Sequence, residues 1–213
     1  MIVRGYFRVL ANLMVQFNAH NNKLQAIFDE YQAALPKSSS TYIYSGTLET
    51  FRQDLIKHEV NVYFVWNIDQ WSNINTNGQF VEEEVPLGSI YSLLPLGTIQ
   101  NIDQQKALNL PGNIIDDPVL VVPWGLNGNS HLLIDGHHRI FRKNHRGDTD
   151  VKVHYLTEDQ SIQMMMSERY KNLYRIFISI TRLHDYLNGT RNDCPIYRFN
   201  QGNPSKSYKQ NYK

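Results

Sequence analysis

Five consecutive residues, Asp135-Gly136-His137-His138-Arg139, bring a carboxylate, a glycine, two imidazoles and a guanidinium to one point of the chain. They follow the apolar run Leu132-Leu133-Ile134 and open a stretch with helical character, so the local pattern is strand, tight turn, helix. The first N–H groups of a helix have no partner within it, and together with the helix dipole they form a site for an anion. Gly136 lets the backbone approach closely. Arg139 and either His137 or His138 add charge-assisted hydrogen bonds, a set that suits phosphate. Asp135 can cap the helix, hold a metal ion that bridges phosphates, or activate a hydroxyl. Further along the same helix, Arg142, Lys143 and Arg146 join Arg139 in a local basic patch, with Arg142 and Lys143 as additional phosphate contacts.

Each of these residues also has an ordinary reading. N-caps are common, so Asp135 alone reads first as a cap. The Arg/Lys face can be a solvated helix face, and His137 a satisfied core histidine. Adjacent histidines do not share a helix face, which argues against a zinc pair at His137 and His138. The chain has one cysteine, Cys194, so it cannot build a thiolate metal site or an internal disulfide. No metal-ligand set is expected. The combination of strand, Asp-Gly turn, paired histidines, arginine and helix is stronger than any member of it.

The elements that must hold this turn follow from periodicity. Val119–Val122 is a fully apolar run, typical of a buried strand. A Gly/Asn turn at residues 125–130 links it to His131–Ile134, so the two are expected to form a hairpin. Residues 137–146 read as helix, with His137, Ile140, Phe141 and Asn144 on one face and Arg139, Arg142, Lys143 and Arg146 opposite. Gly147 is the expected stop, and residues 151–156 the next strand. Upstream, residues 5–35 read as an amphipathic helix rather than a targeting segment. Residues 47–58 read as a short helix with Leu48, Phe51 and Leu55 on one face, 62–66 and 80–85 as strands, and 102–108 as a short helix. Thr157-Glu158-Asp159-Gln160 is a capping-box pattern opening one long helix that Gly189 closes.

Composition narrows the class. Hydrophobic residues make up 41% and aromatics 12% of 213 residues, enough for a real core and against disorder over most of the length. The net charge of +1 is not that of a dedicated nucleic-acid binder, though it permits a local patch. No run of 18 apolar residues is present, so no membrane span is expected. A single cysteine fits a reducing, cytoplasmic setting.

Residues Asp117-Pro118-Val119-Leu120-Val121-Val122, then Leu132-Leu133-Ile134-Asp135-Gly136-His137-His138-Arg139, then Gly147 and Val151-Lys152-Val153, resemble the ParB/sulfiredoxin-like superfamily. Glu84-Val85-Pro86-Leu87-Gly88-Ser89-Ile90 looks like that family's opening strand and turn. The likeness covers about a third of the chain. It implies an α+β fold, a mixed-sheet core with flanking helices at both ends. The expected organisation is a mostly helical extension at 1–78, the core at 79–156, a helical segment at 157–199 and a disordered tail at 200–213.

The superfamily spans several activities. Sulfiredoxins carry a catalytic cysteine in this turn, where this chain has His137. ParB partition proteins bind CTP at a Gly-Glu-Arg-Arg turn and DNA through a following helical domain; this chain departs from both, since residues 157–187 read as one helix. ParB-like free serine kinases use an Asp-Gly-His type turn for nucleotide phosphates and a glutamate from the opening strand. A family with Gln in place of His137 is linked to DNA modification systems. The resemblance therefore implies a phosphotransferase or NTPase that binds ATP, ADP or CTP with Mg²⁺. Gly136, His138, Arg139, Arg142 and Lys143 would hold phosphates. Asp135, His137, Glu83 and Glu84 would be the catalytic candidates. Two other expectations stand beside it: a DNA- or RNA-binding regulator or nuclease using the basic helix, and a non-catalytic protein-interaction module.

Overall fold

A computed structural model of the chain describes residues 22–34, 48–57, 60–75, 81–91, 93–94, 102–125, 130–199 and 204–207. In chain order the elements are α1 (Asn22–Ala34), β1 (Thr50–Lys57), β2 (Val60–Asn67), α2 (Trp71–Asn75), β3 (Val81–Pro86), α3 (Leu87–Tyr91), α4 (Gln104–Leu108), α5 (Gly112–Ile115), β4 (Val119–Pro123), β5 (His131–Asp135), α6 (His137–Arg146), β6 (Asp150–Tyr155), α7 (Glu158–Gln163), α8 (Glu168–Leu187), β7 (Ile196–Arg198) and β8 (Ser205–Ser207). The class is α+β, as the residue pattern implies. The chain divides into two compact units, one of Leu48–Gln53 with Val65–Met165, the other of Met1–Thr47, Asp54–Phe64 and Met166–Lys213.

The first unit is built on a four-stranded mixed sheet in the order β3-β6-β4-β5. β4 and β5 form the expected antiparallel hairpin, with a register shift between Leu120 and Val121. β4 runs parallel to β6, Val119 opposite Val153, and β3 closes the far edge antiparallel to β6. Val119, Leu120, Val121 and Val122 are all buried, which explains why β4 reads as a continuous apolar run rather than an alternating one. One face carries a core of Leu87, Ile90, Val119, Val121, Leu133, Ile140, Val151 and Val153. Each such side chain contributes about 2 kcal/mol by leaving water. The capping box at Thr157 and Gln160 forms as expected and opens α7, which packs on β4. The Trp66 indole donates to Ser161 Oγ at 3.1 Å and anchors β2 to α7.

In the second unit Leu24, Ile27, Phe28 and Tyr31 form the buried stripe of α1, at the helical spacing of one face. α8 buries Leu173, Tyr174, Phe177 and Ile180. Phe64 meets Tyr174 and Phe177 edge-to-face at 5.8 and 6.1 Å. The Tyr31 hydroxyl donates to the Tyr197 carbonyl at 3.0 Å.

Several expectations change. Residues 50–57 are a strand, not a helix. The side chains at 50–54 alternate in exposure, with Phe51 and Gln53 turned inward, a period of two that overrides the three-and-four spacing of Leu48, Phe51 and Leu55. The expected single helix after Thr157 is two helices, broken at Met164–Ser167. There the Met164 carbonyl accepts the Asn67 N–H at 2.8 Å, Met165 bridges to Trp66, and Ser167 caps α8. The two compact units divide elsewhere than at residue 78: residues 48–53 and 65–75 group with the sheet, and α8 groups with α1. Ser205–Ser207 pairs with β7 although it lies in the segment expected to be disordered. Residues 5–21 of the expected first helix lie outside the described residues.

The step from β5 to α6 rests on Gly136. Its φ is +96°, the left-handed region, and a Cβ there would collide with the Val119 side chain. Gly136→Ala is therefore expected to lower stability by about 2–4 kcal/mol, the sum of a left-handed penalty and overpacking against β4. A urea unfolding midpoint measures it, and an unchanged midpoint would contradict the fit of this turn.

Candidate functional site

β5 ends at Asp135, and the turn is closed by that residue's own carboxylate. Asp135 Oδ1 accepts the Gly136 N–H at 2.6 Å. Oδ2 pairs with the Arg139 guanidinium at 2.6 Å, one helical turn on. The same Arg139 Nη2 also donates to the Pro118 carbonyl at 3.2 Å, which ties α6 to the entry of β4. Asp135 thus acts as a clamp rather than a cap or a free base. The N-cap is Gly136, which has no side chain to satisfy the first turn of α6. That turn presents its N–H groups to whatever lies beyond it.

Beyond it lies a cavity of about 780 Å³ lined by residues 134–139, by Glu49, Thr50 and Phe51 at the start of β1, and by residues around α4 and α5. Phe51, Ile68, Ile102, Leu110, Ile114 and Ile134 make its apolar wall. Asp103 caps α4 by accepting the Lys106 backbone N–H at 3.0 Å, which sets the Lys106 side chain on the cavity. Among the described residues the Lys106 ammonium makes no ion pair.

His137 lines the cavity, but its ring lies flat against Phe51, centroids 5.3 Å apart and 16° from parallel. Its Nε2 is buried without a hydrogen-bond partner. Burial, over the opposing charge of Asp135, brings its pKa down to about 4. The packed ring therefore favours its uncharged form at neutral pH. His138 is only partly buried, and its pKa is lowered first by desolvation and then by Lys106. Glu49 shows the opposite shift: burial raises its carboxyl, and Asp135 and Asp69 raise it further.

Of the residues expected at the site, Asp135, Gly136, His137, His138 and Arg139 line this cavity together. Glu83 and Glu84 do not. They lie on β3, opposite Val153 and Lys152, at the sheet edge farthest from β5. Their neighbour Glu82 pairs with His154 at 2.8 Å. Arg142 and Lys143 also lie away from the cavity lining. Lys143 is buried, where an exposed position was expected, and binds Asp116 at 2.8 Å and Asp148 at 3.4 Å. Arg146 binds the same two carboxylates at 3.1 and 2.5 Å. Those bonds, from Lys143 first at Asp116 and from Arg146 first at Asp148, hold both acids below the usual carboxylate range. The inward face of α6 is Ile140 and Lys143; Phe141 is half-buried and Asn144 exposed.

Glu49, Phe51 and Lys106 were not singled out from the residue pattern. Only the Asp103–Lys106 spacing, an N-cap three residues before a cation, carried a local hint. Among the described residues, no group of three or more His, Cys, Asp or Glu is arranged to hold a metal ion. Compared with known proteins, the chain matches no family model, no curated protein and no solved structure.

The His137 environment sets a pH dependence. Its folded pKa lies below the unfolded value, so the unfolded state binds the extra proton between them. Stability is complete above about pH 6.5 and declines as pH falls toward about 4, by up to about 3 kcal/mol from this ring. His138 adds to the decline with the same sign. Asp116 and Asp148, both depressed, lose their contribution only as pH falls below the ordinary carboxylate value. Urea midpoints at pH 7 and pH 4.5 are expected to differ less in His137→Phe than in the wild type; equal differences would contradict a neutral His137.

Proposed function

We propose that this protein is a nucleotide-binding phosphotransferase or NTPase with a ParB/sulfiredoxin-like core, acting in the cytoplasm. One observation carries the reading: a single cavity of about 780 Å³ joins an apolar wall to the uncapped start of α6, with Lys106 and His138 beside it. Its size lies within the usual range for small-molecule sites, and its lining includes both apolar and charged side chains. A nucleotide likewise joins a less polar base to charged phosphates. The hairpin β4–β5, the parallel pair β4–β6 and the helix leaving the Asp135-Gly136 turn support the ParB-like reading.

The residues present fit this ligand. The N–H groups of His137, His138 and Arg139 face an anion with the helix dipole behind them. Lys106 and His138 add donors to phosphate oxygens. Phe51, Ile102 and Ile114 accept the less polar part. Both oxygens of Asp135 are occupied, by Gly136 and by Arg139. Asp135 and Arg139 accordingly position the turn. Mg²⁺ would enter as a complex with the nucleotide, held by phosphate oxygens and water, as is usual for this ion. A bound nucleoside triphosphate supplies the transferable phosphoryl group. The chain's part is positioning and charge neutralisation, which dominate such transfers.

The nucleic-acid reading has lost two of its cations. Lys143 and Arg146 are committed to Asp116 and Asp148, and such a network leaves little charge for a phosphate backbone. Membrane association has no support in the helices: among the described residues none is long and apolar enough to cross a membrane. Cys194 is a buried free thiol whose pKa burial raises to about 11, so it is not a ready nucleophile.

The test is calorimetric titration of ATP, ADP and CTP with Mg²⁺. Binding of at least one is expected, weakened about tenfold or more in Lys106→Ala, the scale of one charge-assisted contact. Absence of binding by all three, or equal affinity in Lys106→Ala, would overturn the assignment.

A further inference from the structure

Transfer of a phosphoryl group to an oxygen acceptor needs a group to take the acceptor's proton, and the cavity restricts the choice. Asp135 has both carboxylate oxygens bonded. Asp103 is spent on the cap of α4. His137 is stacked under Phe51 with its Nε2 buried. Glu83 and Glu84 are at the opposite edge of the sheet. Glu49 is different. It lines the cavity, and among the described residues its carboxylate makes no hydrogen bond or ion pair.

Its backbone is nonetheless fixed from both sides. The Glu49 N–H donates to Asp69 Oδ2 at 2.9 Å, and its carbonyl accepts the Ile68 N–H at 2.8 Å. The side chain therefore starts from a backbone held at both of its polar groups, on the cavity that Asp135 and Arg139 also line. An uncommitted carboxylate on a held backbone, lining the same cavity as an anion site, is what a general base requires.

We infer that Glu49 is the acid–base residue of this site, taking the proton of the water that attacks the terminal phosphoryl group. The inference rests on the nucleotide reading above. As the new oxygen–phosphorus bond forms, the attacking oxygen gives its proton to Glu49. The bond from the terminal phosphorus to the bridging oxygen breaks, and that oxygen leaves with the electron pair as the nucleoside diphosphate. Glu49 then returns the proton to solvent. The charges that face it act in both directions: Asp135 and Asp69 make it more basic, while Lys106 and Arg139 oppose them. Desolvation, the largest influence, together with these acids leaves it a better proton acceptor than an ordinary surface glutamate.

The experiment compares wild type, Glu49→Gln and Glu49→Asp for Mg²⁺-dependent release of inorganic phosphate from ATP and CTP, with calorimetric affinities measured in parallel. The bonds at Glu49 come from its backbone, so the isosteric amide keeps them. Glu49→Gln is expected to bind nucleotide within about twofold of wild type and to release phosphate about a hundredfold more slowly or worse. Glu49→Asp should recover part of the rate. The acid limb of the wild-type rate against pH should be absent in the amide variant. Turnover of Glu49→Gln within about threefold of wild type overturns the inference. A wild type that binds nucleotide and releases no phosphate also overturns it, while the binding reading stands. A wild type that binds none of the nucleotides overturns both.

Discussion

The Asp135–Arg139 pair, closed over a left-handed Gly136, is the contact on which the candidate site depends. Its two groups are one helical turn apart, so helix formation and salt-bridge formation require each other. Arg139 also reaches the Pro118 carbonyl, and Gly136 sits against Val119 too closely for any side chain. The start of α6 is thereby fixed to the start of β4, whose residues are buried on both faces of the sheet. A fixed helix start is a fixed set of N–H directions. An anion site works by preorganisation, because donors that need not reorganise lose less free energy when a ligand arrives. The pair's energetic value is therefore geometric more than electrostatic, since neither partner is deeply buried.

The same helix shows how charge is divided between structure and binding. Its first turn is left open toward the cavity. Its last turn is closed by Asp116 and Asp148, which neutralise Lys143 and Arg146. Lys143 is buried and still reaches those acids with its ammonium, as long cationic side chains do. Four cations within eight residues look alike as a string, but the fold gives them different duties. Arg139 holds the turn, Lys143 and Arg146 hold the C-terminal end, and among the described residues an ammonium without an ion pair on the cavity comes from Lys106, on a different helix.

Much of this unit was legible in the residues. The apolar run at Val119–Val122, the hairpin to Ile134, the turn at Asp135–Gly136, the helix ended by Gly147 and the capping box at Thr157 each follow from short-range rules. The rest depends on contacts distant in sequence. β1 has helical spacing at Leu48, Phe51 and Leu55 and becomes a strand through pairing with β2 and the inward turn of Phe51. The break between α7 and α8 is set by Trp66 and Asn67, about a hundred residues earlier. Glu49 carries no motif; its place on the cavity follows from backbone bonds to Ile68 and Asp69, distant in sequence. Glu83 and Glu84 drew attention as a run of like charge, and their strand lies at the other edge of the sheet.

The central claim is that the start of α6 receives a phosphate group. Amide chemical shifts of the ¹⁵N-labelled protein, followed through a titration with Mg²⁺·ATP and then Mg²⁺·CTP, test it most directly. The account predicts that the largest changes for at least one nucleotide fall at Gly136, His137, His138 and Arg139, with a second group around Lys106. Changes confined to residues 142–146, or no change at residues 136–139 while binding occurs elsewhere, would contradict it.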